Sequence, residues 1–384
     1  MKVNCSSIAF GVLVVACSRL LLTGVSETET LRFSESELVT SVGTNAGENT
    51  VAKPELSFIL SPGGPPSVHS GTITRLKNGQ LLAAWFGGTR EGASDVRIFL
   101  SKRVPGASEW SASTTIASRE QTTEDLNRYI AKIGNPILFA DSRDRIWLFY
   151  VTASFGGWSG SSITVRYSDD AGESWSQAKR LVTSPFLNVS TLVKGCPIEC
   201  ESGHVVLPVY HEFVKKFGEA LILDPDGTLK SRIRLTAVQG AIQPWIVPMD
   251  GRASKAFFRQ SGHADRSVFM CRMPDVLASD IGRLEASPVP NPDSAIAVIR
   301  RHNGEFLMAC NPIDSGRHQL SLATSRDGVK WKVVRHVEDS NAPDEFSYPY
   351  LIRGASGQYH LIYTWNRTRM GYLEFGEEWL ENEL

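Results

Sequence analysis

A phenol, a carboxyl and an imidazole stand in sequence settings where each could move a proton or attack an electrophile. Tyr348 lies in Phe346-Ser347-Tyr348-Pro349-Tyr350, Asp95 closes Gly92-Ala93-Ser94-Asp95, and His69 follows a Gly-Pro-rich approach at the start of the first apolar stretch. Histidine titrates near neutrality and suits acid–base work, although a hydrogen-bonded structural histidine fits the same setting. The carboxyl can equally cap a turn, and a tyrosine in an aromatic run can equally be core. Six cysteines in 384 residues are too few for a disulfide scaffold and lack the paired short spacings of a structural zinc site. Cys196 and Cys200 stand at i and i+4 in Gly-Cys-Pro-Ile-Glu-Cys; on a strand their Cα atoms would lie about 13 Å apart, beyond disulfide reach. Buried reduced thiols are expected there and at Cys271 and Cys310. No G-x-x-x-x-G-K-[ST], no G-x-G-x-x-G after a strand and no H-E-x-x-H occurs. Nucleotide and zinc-protease chemistry are therefore set aside, and neither a cofactor nor a metal is expected. Asn188-Val189-Ser190 and Asn366-Arg367-Thr368 match the glycosylation sequon, a pattern that chance also produces.

The 40 Lys+Arg against 41 Asp+Glu give a net charge of −1, without the positive excess of a nucleic-acid binder. Hydrophobic residues at 42% and charged residues at 21% are ordinary globular usage, so a sizeable core can be buried. After Lys2, an apolar run over residues 8–17 has the length of a signal-peptide core and half that of a membrane span. Residues 1–26 are read as a signal peptide or lipoprotein signal, and the chain as extracytoplasmic, secreted or membrane-anchored. Val14-Val15-Ala16-Cys17 resembles a lipobox, in which Cys17 would carry a lipid anchor. Residues 27–58, rich in Ser, Thr, Glu and Gly over much of their length, read as a linker, with the folded domain over 59–384.

Within that domain one unit recurs: a turn with Gly or Asp, then an apolar strand. It appears as Lys77-Asn78-Gly79 before QLLAAWF, Arg143-Asp144-Arg145 before IWLFYV and Glu201-Ser202-Gly203 before HVVLPVY. It returns as Asp250-Gly251-Arg252 before ASKAFF, His302-Asn303-Gly304 before EFLMAC and Ala355-Ser356-Gly357 before QYHLIYTW. Such turns supply the positive φ of tight hairpins. Six copies with a period of about 50 residues predict an all-β, six-bladed propeller with about four strands per blade. Ser168-Asp169-Asp170-Ala171-Gly172-Glu173-Ser174-Trp175 fits S-x-D-x-G-x-x-W, with a shorter copy from Ser325 to Trp331 and a degenerate one from Ser101 to Trp110. These are Asp-boxes, expected to pin outer turns rather than to catalyse: short polar side chains cap the turn, Gly takes the left-handed position and Trp packs beneath.

The chain resembles the sialidase superfamily of six-bladed propellers, most closely its bacterial BNR-repeat neuraminidase branch, over about residues 60–375. The resemblance rests on His69-Ser70-Gly71-Thr72-Ile73, Trp85-Phe86-Gly87-Gly88-Thr89-Arg90-Glu91-Gly92 and Gly240-Ala241-Ile242-Gln243-Pro244. It continues through Asn291-Pro292-Asp293-Ser294, Asn311-Pro312, Ser347-Tyr348-Pro349 and Tyr363-Thr364-Trp365-Asn366-Arg367. It implies a tyrosine nucleophile activated by a glutamate, an aspartate acid/base and three arginines on the substrate carboxylate. A phenol is not repelled by a carboxylate on the anomeric carbon as a carboxylate nucleophile would be, and guanidinium forks bind carboxylates in a bidentate way.

Carried over, the resemblance implies Tyr348 as nucleophile, Asp95 as acid/base with Arg90 beside it, and Arg259 and Arg317 as clamp residues. His69 stands where the first clamp arginine is implied and Gln243 where the activating glutamate is implied. Glutamine cannot accept a phenol proton, so another base serves or Tyr348 has another role. Asp293, Lys194 and Arg367 are further candidates for the cavity. The expected activity is retaining, exo-acting hydrolysis of terminal α-linked sialic or related acidic sugars, with an acidic glycan as partner and no nucleic acid. The alternatives are a hydrolase or lyase for another anionic, uronate-containing glycan using His69, and a non-catalytic carbohydrate-binding propeller.

Overall fold

Each turn singled out above separates a leading strand, in most cases interrupted by Pro or Gly, from an apolar second strand. In the computed structural model the described residues are 31–34, 54, 56–59, 64–184, 188–249, 252–262, 266–275, 283–354 and 357–381. The expected export signal with Cys17, most of the linker and the turn residues Asp250 and Gly251 lie outside them.

The first sheet runs β2 (Ser67–Arg75), β3 (Leu81–Gly88), β4 (Arg97–Arg103), β5 (Thr114–Ser118), preceded in the chain by β1 (Ser57–Ile59). The second runs β6 (Lys132–Ala140), β7 (Ile146–Ala153), β8 (Ser161–Ser168), β9 (Lys179–Arg180). A 9-stranded sheet follows. Its first half holds β10 (Leu192–Val193) and β11 (Ile198–Glu199), both paired to β12 (Val205–His211), then β13 (Phe217–Leu223) and β14 (Leu229–Arg234). Its second half is β15 (Ala241–Pro248), β16 (Ser254–Gln260), β17 (Ser267–Met273) and β18 (Glu285–Pro290). The halves meet through the parallel pair Phe217↔Ala241. Next come β19 (Ala297–Arg300), β20 (Phe306–Cys310), β21 (Gln319–Ser325) and β22 (Lys332–Asp339). The last sheet is β23 (Phe346–Arg353), β24 (Gln358–Trp365), β25 (Arg369–Gly376), and β1 completes it from the other end of the described chain by pairing with β25. The fold is all-β, with short helices α1 (Arg119–Leu126) and α2 (Glu377–Glu381).

The turns behave as their residues require. Gly79, Asp144, Gly203, Gly304 and Gly357 have φ of 88°, 63°, 77°, 85° and 80°. The second strands β3 and β7 are buried at every position. Their unbroken apolar runs reflect sheets covered on both faces. The α1 helix was not signalled by apolar periodicity, and packing does not define it. Ser118 caps it by accepting from the Gln121 N–H at 3.1 Å, Asn127 ends it in the left-handed conformation, and buried Thr122 shares a hydrogen bond of 2.9 Å with the Tyr150 hydroxyl. Within the expected linker, Leu31 and Phe33 are buried, and Phe33 pairs with Cys200. Their apolar side chains give this part of the segment somewhere to dock. None of Cys196, Cys200, Cys271 and Cys310 is in a disulfide, and the last three are buried.

The Asp-boxes join the third and fourth strands of their sheets. Asp170 Oδ1 accepts from the N–H groups of Glu173 and Ser174 at 3.1 and 2.9 Å, and Asp327 Oδ1 from those of Val329 and Lys330, each at 2.8 Å. These turns also rest on the preceding sheet. A Cβ on Gly172 would meet Leu100 Cδ2 at 3.1 Å, and one on Gly328 would meet Phe257 Cζ at 3.0 Å. Gly227 in Asp224-Pro225-Asp226-Gly227 does the same against Trp147, at 2.8 Å and with φ of 86°. A cavity of about 500 Å³ is lined by Arg75, Ala140, Ile198, Val247, Ile299 and Leu351 among others, residues at or near the C-terminal ends of β2, β6, β15, β19 and β23 and in β11.

Gly227→Ala combines a left-handed alanine with a clash against a buried indole, so urea unfolding should show a loss of about 2 kcal/mol or more. His360 is buried beside the Tyr372 hydroxyl at 2.8 Å, and burial pushes its pKa down to about 4. The folded state therefore favours neutral His360, and its contribution is complete above the unfolded value of about 6.5 and lost as pH falls towards 4. Wild type should lose about 2–3 kcal/mol through this group between pH 7 and 4.5, and His360→Gln should flatten that part of the pH profile.

Candidate functional site

Four leading strands break register near their starts: β2 between His69 and Thr72, β6 between Gly134 and Ile137, β15 between Ile242 and Trp245, and β23 between Ser347 and Tyr350. Each break holds a residue in the left-handed region, with φ of 54° at Ser70, 45° at Asn135, 50° at Gln243 and 53° at Tyr348. Pro136, Pro244 and Pro349 follow three of them, as expected where a strand gives up a ladder bond. A bulge re-aims the side chain it carries. For a residue as bulky as tyrosine the left-handed conformation is strained, and strain of this kind concentrates at functional sites.

Two of the re-aimed side chains, those of Gln243 and Tyr348, meet Arg259 of β16. Its Nη1 donates to Gln243 Oε1 at 3.2 Å and to the Tyr348 hydroxyl at 3.4 Å, while Nε donates to Asp293 Oδ1 at 2.6 Å. Burial opposes the Arg259 charge, but Tyr348 and Asp293 outweigh it and drive the guanidinium pKa above its ordinary value. Gln243 Nε2 donates onward to the buried Tyr210 hydroxyl at 3.3 Å. Burial, then the neighbouring Tyr348 and Glu212, push the Tyr210 phenol well up.

Arg317 lies on the other side, its guanidinium carbon 5.9 Å from the centre of the Tyr348 ring. Its Nη1 donates to Glu345 Oε1 at 3.2 Å and its Nη2 to the Asp293 carbonyl at 3.0 Å. The other Glu345 oxygen accepts from Arg367 Nε at 2.9 Å, and Arg367 Nη1 donates to Glu91 at 2.7 Å. Burial disfavours the Glu345 carboxylate, yet the bonds from Arg367 and Ser347 and the charges of Arg367 and Arg317 hold its pKa below the ordinary value. His69 completes the group, buried, with its ring centre 4.3 Å from that of Tyr348. Burial, then the charges of Arg367, Arg317, Lys194 and Arg259, depress the imidazole strongly, so it is neutral at neutral pH. Lys194 lies beneath, wholly buried, its Nζ 5.4 Å from the Tyr348 ring centre.

Of the residues singled out in the sequence, Tyr348, Gln243, His69, Arg259 and Arg317 are thus brought together, with Asp293, Lys194 and Arg367. Arg90 and Asp95 are exposed on the loop after β3, and among the described residues no hydrogen bond or ion pair joins either to that group. That loop is tied to the group through Glu91 and Arg367. The third guanidinium of the cluster belongs to Arg367, not Arg90. Asp95 accepts from the Thr89 N–H at 2.9 Å and from its hydroxyl, and these bonds hold its carboxyl below the ordinary range. As it stands Asp95 is a carboxylate, so donating a proton would require a substrate that displaces Thr89. Glu212 was not foreseen. It follows β12, and burial raises its pKa against the opposing charges of Lys216 and Arg259, helped by Asp293 and Glu91. The polar pair His211-Glu212 closing an apolar strand was the available signal. Among the described residues no cluster of His, Cys, Asp and Glu is arranged to hold a metal.

The arrangement can hold an anion near a phenol, provided the anion competes with the internal carboxylates. Glu345 holds two guanidiniums, so Glu345→Gln should lower unfolding free energy by about 1–3 kcal/mol in urea. Unchanged stability would show that the paired arginines are held by packing alone.

Residues 79–361 match the BNR repeat-like domain, and the chain belongs to that family. No curated protein matches the sequence. Among solved structures, a protein of unknown function from Dyadobacter fermentans is similar with a TM-score of 0.68 and 14% identity, covering 85% of this chain and 100% of that one. The leech intramolecular trans-sialidase has a TM-score of 0.67 at 14% identity, covering 86% and 71%. The Hadza microbial sialidase Hz136 has a TM-score of 0.66 at 13% identity, covering 82% of this chain and 66% of that one. These likenesses place the fold among sialidase-like β-propellers.

Proposed function

We propose that this BNR repeat-like chain is a six-bladed propeller that hydrolyses glycosidic bonds of acidic glycans, with Tyr348 as nucleophile. Six blades follow when the 9-stranded sheet is divided at its single parallel pair. Supporting closure, β2 touches both β6 and β23, β6 touches β10, β12 touches β15, and β19 touches both β15 and β23. The 500 Å³ cavity, lined from β2, β6, β11, β15, β19 and β23, then lies on the axis at the end away from Tyr348.

The observation that carries the functional reading is the meeting of Tyr348, Arg259 and Arg317, from three separate parts of the chain. In the proposed reaction Tyr348, its phenol proton released to solvent beforehand, attacks as the phenolate: its oxygen bonds to the anomeric carbon as the glycosidic C–O bond breaks, and the leaving oxygen takes a proton from a carboxyl, Asp95 or Glu212. Water then attacks the same carbon and gives its proton to that carboxylate, and the Tyr348 oxygen leaves, so configuration is retained. Arg259 and Arg317 bind the substrate carboxylate by exchanging their bonds to Asp293 and Glu345 for bonds to the sugar. We place the protein outside the cytoplasm on the strength of the apolar run over 8–17.

A second reading rests on the neutral imidazole of His69 against Tyr348. A neutral histidine beside a tyrosine and arginines is also suited to removing the proton next to a uronate carboxylate, which would make the protein a lyase. Product analysis after incubation with sialosides, other nonulosonic glycosides and uronate oligosaccharides separates the two. Release of a saturated acidic monosaccharide with retained configuration is expected, and an unsaturated product would replace hydrolysis with elimination. Binding without turnover of any of them would leave a carbohydrate-binding propeller. With an active substrate in hand, Tyr348→Phe should lower kcat by at least about 100-fold, and Arg259→Ala should weaken substrate binding by about 1.5–3 kcal/mol.

A further inference from the structure

Lys194 follows β10, in the third four-stranded unit, and its ammonium lies against β23 of the sixth, the unit opposite across the axis in the six-bladed reading. Nζ donates to the Pro349 carbonyl at 3.3 Å and sits 5.4 Å from the ring centre of Tyr348 and 5.2 Å from that of Tyr350. It is a fully buried cation set among tyrosine rings and a carbonyl rather than beside a carboxylate.

We propose that Lys194 and Tyr348 share one proton, so that the ammonium beneath the ring holds Tyr348 as a phenolate at neutral pH and replaces the carboxylate base that position 243 lacks. The inference rests on Tyr348 being the reacting group, but the ionisation itself needs no substrate. Burial lowers the Lys194 pKa to about 7, with Cys196 opposing the shift. On ionisation the pair gives one of its two protons to solvent. The proton that remains sits either on the phenol, with a neutral amine, or on Nζ, with a phenolate; the two forms have the same number of protons and the same net charge.

The groups facing Tyr348 decide between them. From β16, Arg259 Nη1 donates to the phenol oxygen at 3.4 Å, and Arg317 lies over the ring. Both favour the phenolate. From β2, His69 is held neutral and adds no competing charge. Tyr210 of β12 is pushed up and stays a phenol, while Asp293 and Glu345 are engaged by Arg259, Arg317 and Arg367. Gln243 of β15 donates to Tyr210 and accepts from Arg259, so it offers Tyr348 no base.

The test is an ultraviolet difference titration of phenolate absorbance, with Tyr348→Phe as the reference that isolates Tyr348 from the other tyrosines. Wild type should ionise Tyr348 with a midpoint within about one unit of 7, against about 10 for an ordinary tyrosine. Lys194→Met should raise that midpoint by about 2 units, a 100-fold change in the ionisation constant, and Lys194→Arg, which restores a permanent charge, should return it to within about one unit of the wild-type value. A wild-type midpoint above about 8, or equal midpoints in wild type and Lys194→Met, overturns the proposal. If Lys194→Met does not fold, the wild-type midpoint alone decides. A low midpoint in a protein that cleaves no acidic glycan leaves proton sharing standing and removes the glycosidase reading. Cleavage with a midpoint near 10 does the reverse.

Discussion

A strand with an uninterrupted period of two would send Ser347 and Tyr348 to opposite faces, and the same holds for Ile242 and Gln243. The left-handed bulge at the start of β15 and of β23 removes that restriction, and β2 and β6 make the same move at Ser70 and Asn135. Left-handed non-glycine residues cost about 1–3 kcal/mol each where they are strained. They persist here because the strand continuing from each bulge is locked into a sheet buried on both faces, as at Trp245 and Tyr350, whose rings pack 5.1 Å apart. The kinks thus turn a repetitive scaffold into one with a polar focus at the N-terminal ends of its leading strands.

Charge is handled by pairing within that focus. Arg259 has Asp293, Arg317 has Glu345, and Arg367 is divided between Glu345 and Glu91. An anion entering the group would have to exchange with these partners rather than drop into a vacant fork, so the net gain per arginine would be smaller than the gross strength of a charge-assisted bond. His69 contributes no charge where the sialidase resemblance implies a clamp arginine, and Arg367 brings a guanidinium from the end of the last sheet instead. Lys194 departs from this pattern: its surroundings are aromatic, which is why its charge bears on the phenol above it.

The outer turns solve a separate problem. Each Asp-box satisfies its own backbone donors and places a glycine flush against the sheet before it, at Gly172 on Leu100 and Gly328 on Phe257. Asp224-Pro225-Asp226-Gly227 belongs with them by position and contact, resting on Trp147, although its sequence lacks the flanking Ser and Trp of the motif. The contact explains why glycine is needed there independently of the turn: the space a Cβ would fill is taken by the neighbouring sheet.

Much of the fold was legible because it is locally encoded. The turns at Lys77-Asn78-Gly79 or His302-Asn303-Gly304 dictate φ by residue type, and the apolar runs after them can only be strands covered on both sides. The bulges were legible too, in Asn135-Pro136, Gln243-Pro244 and Tyr348-Pro349, since proline inside an apolar strand marks a lost ladder bond; reading them as recognition blocks alone missed what they do to side-chain direction. Position along the chain could not show that Arg367 rather than Arg90 stands beside His69, that Glu212 reaches the site, or that Lys194 crosses to Tyr348. Those meetings join residues 150 or more apart in several cases, as Lys194 with Pro349 and Arg367 with Glu91. Local sequence determined the strands, their turns and the kinks because each is settled by the φ preferences and hydrogen-bonding groups of a few adjacent residues. Which charges face the phenol, and whether burial leaves them protonated, was decided only when the sheets packed, because desolvation and Coulomb energy depend on distance in space and not on separation in sequence.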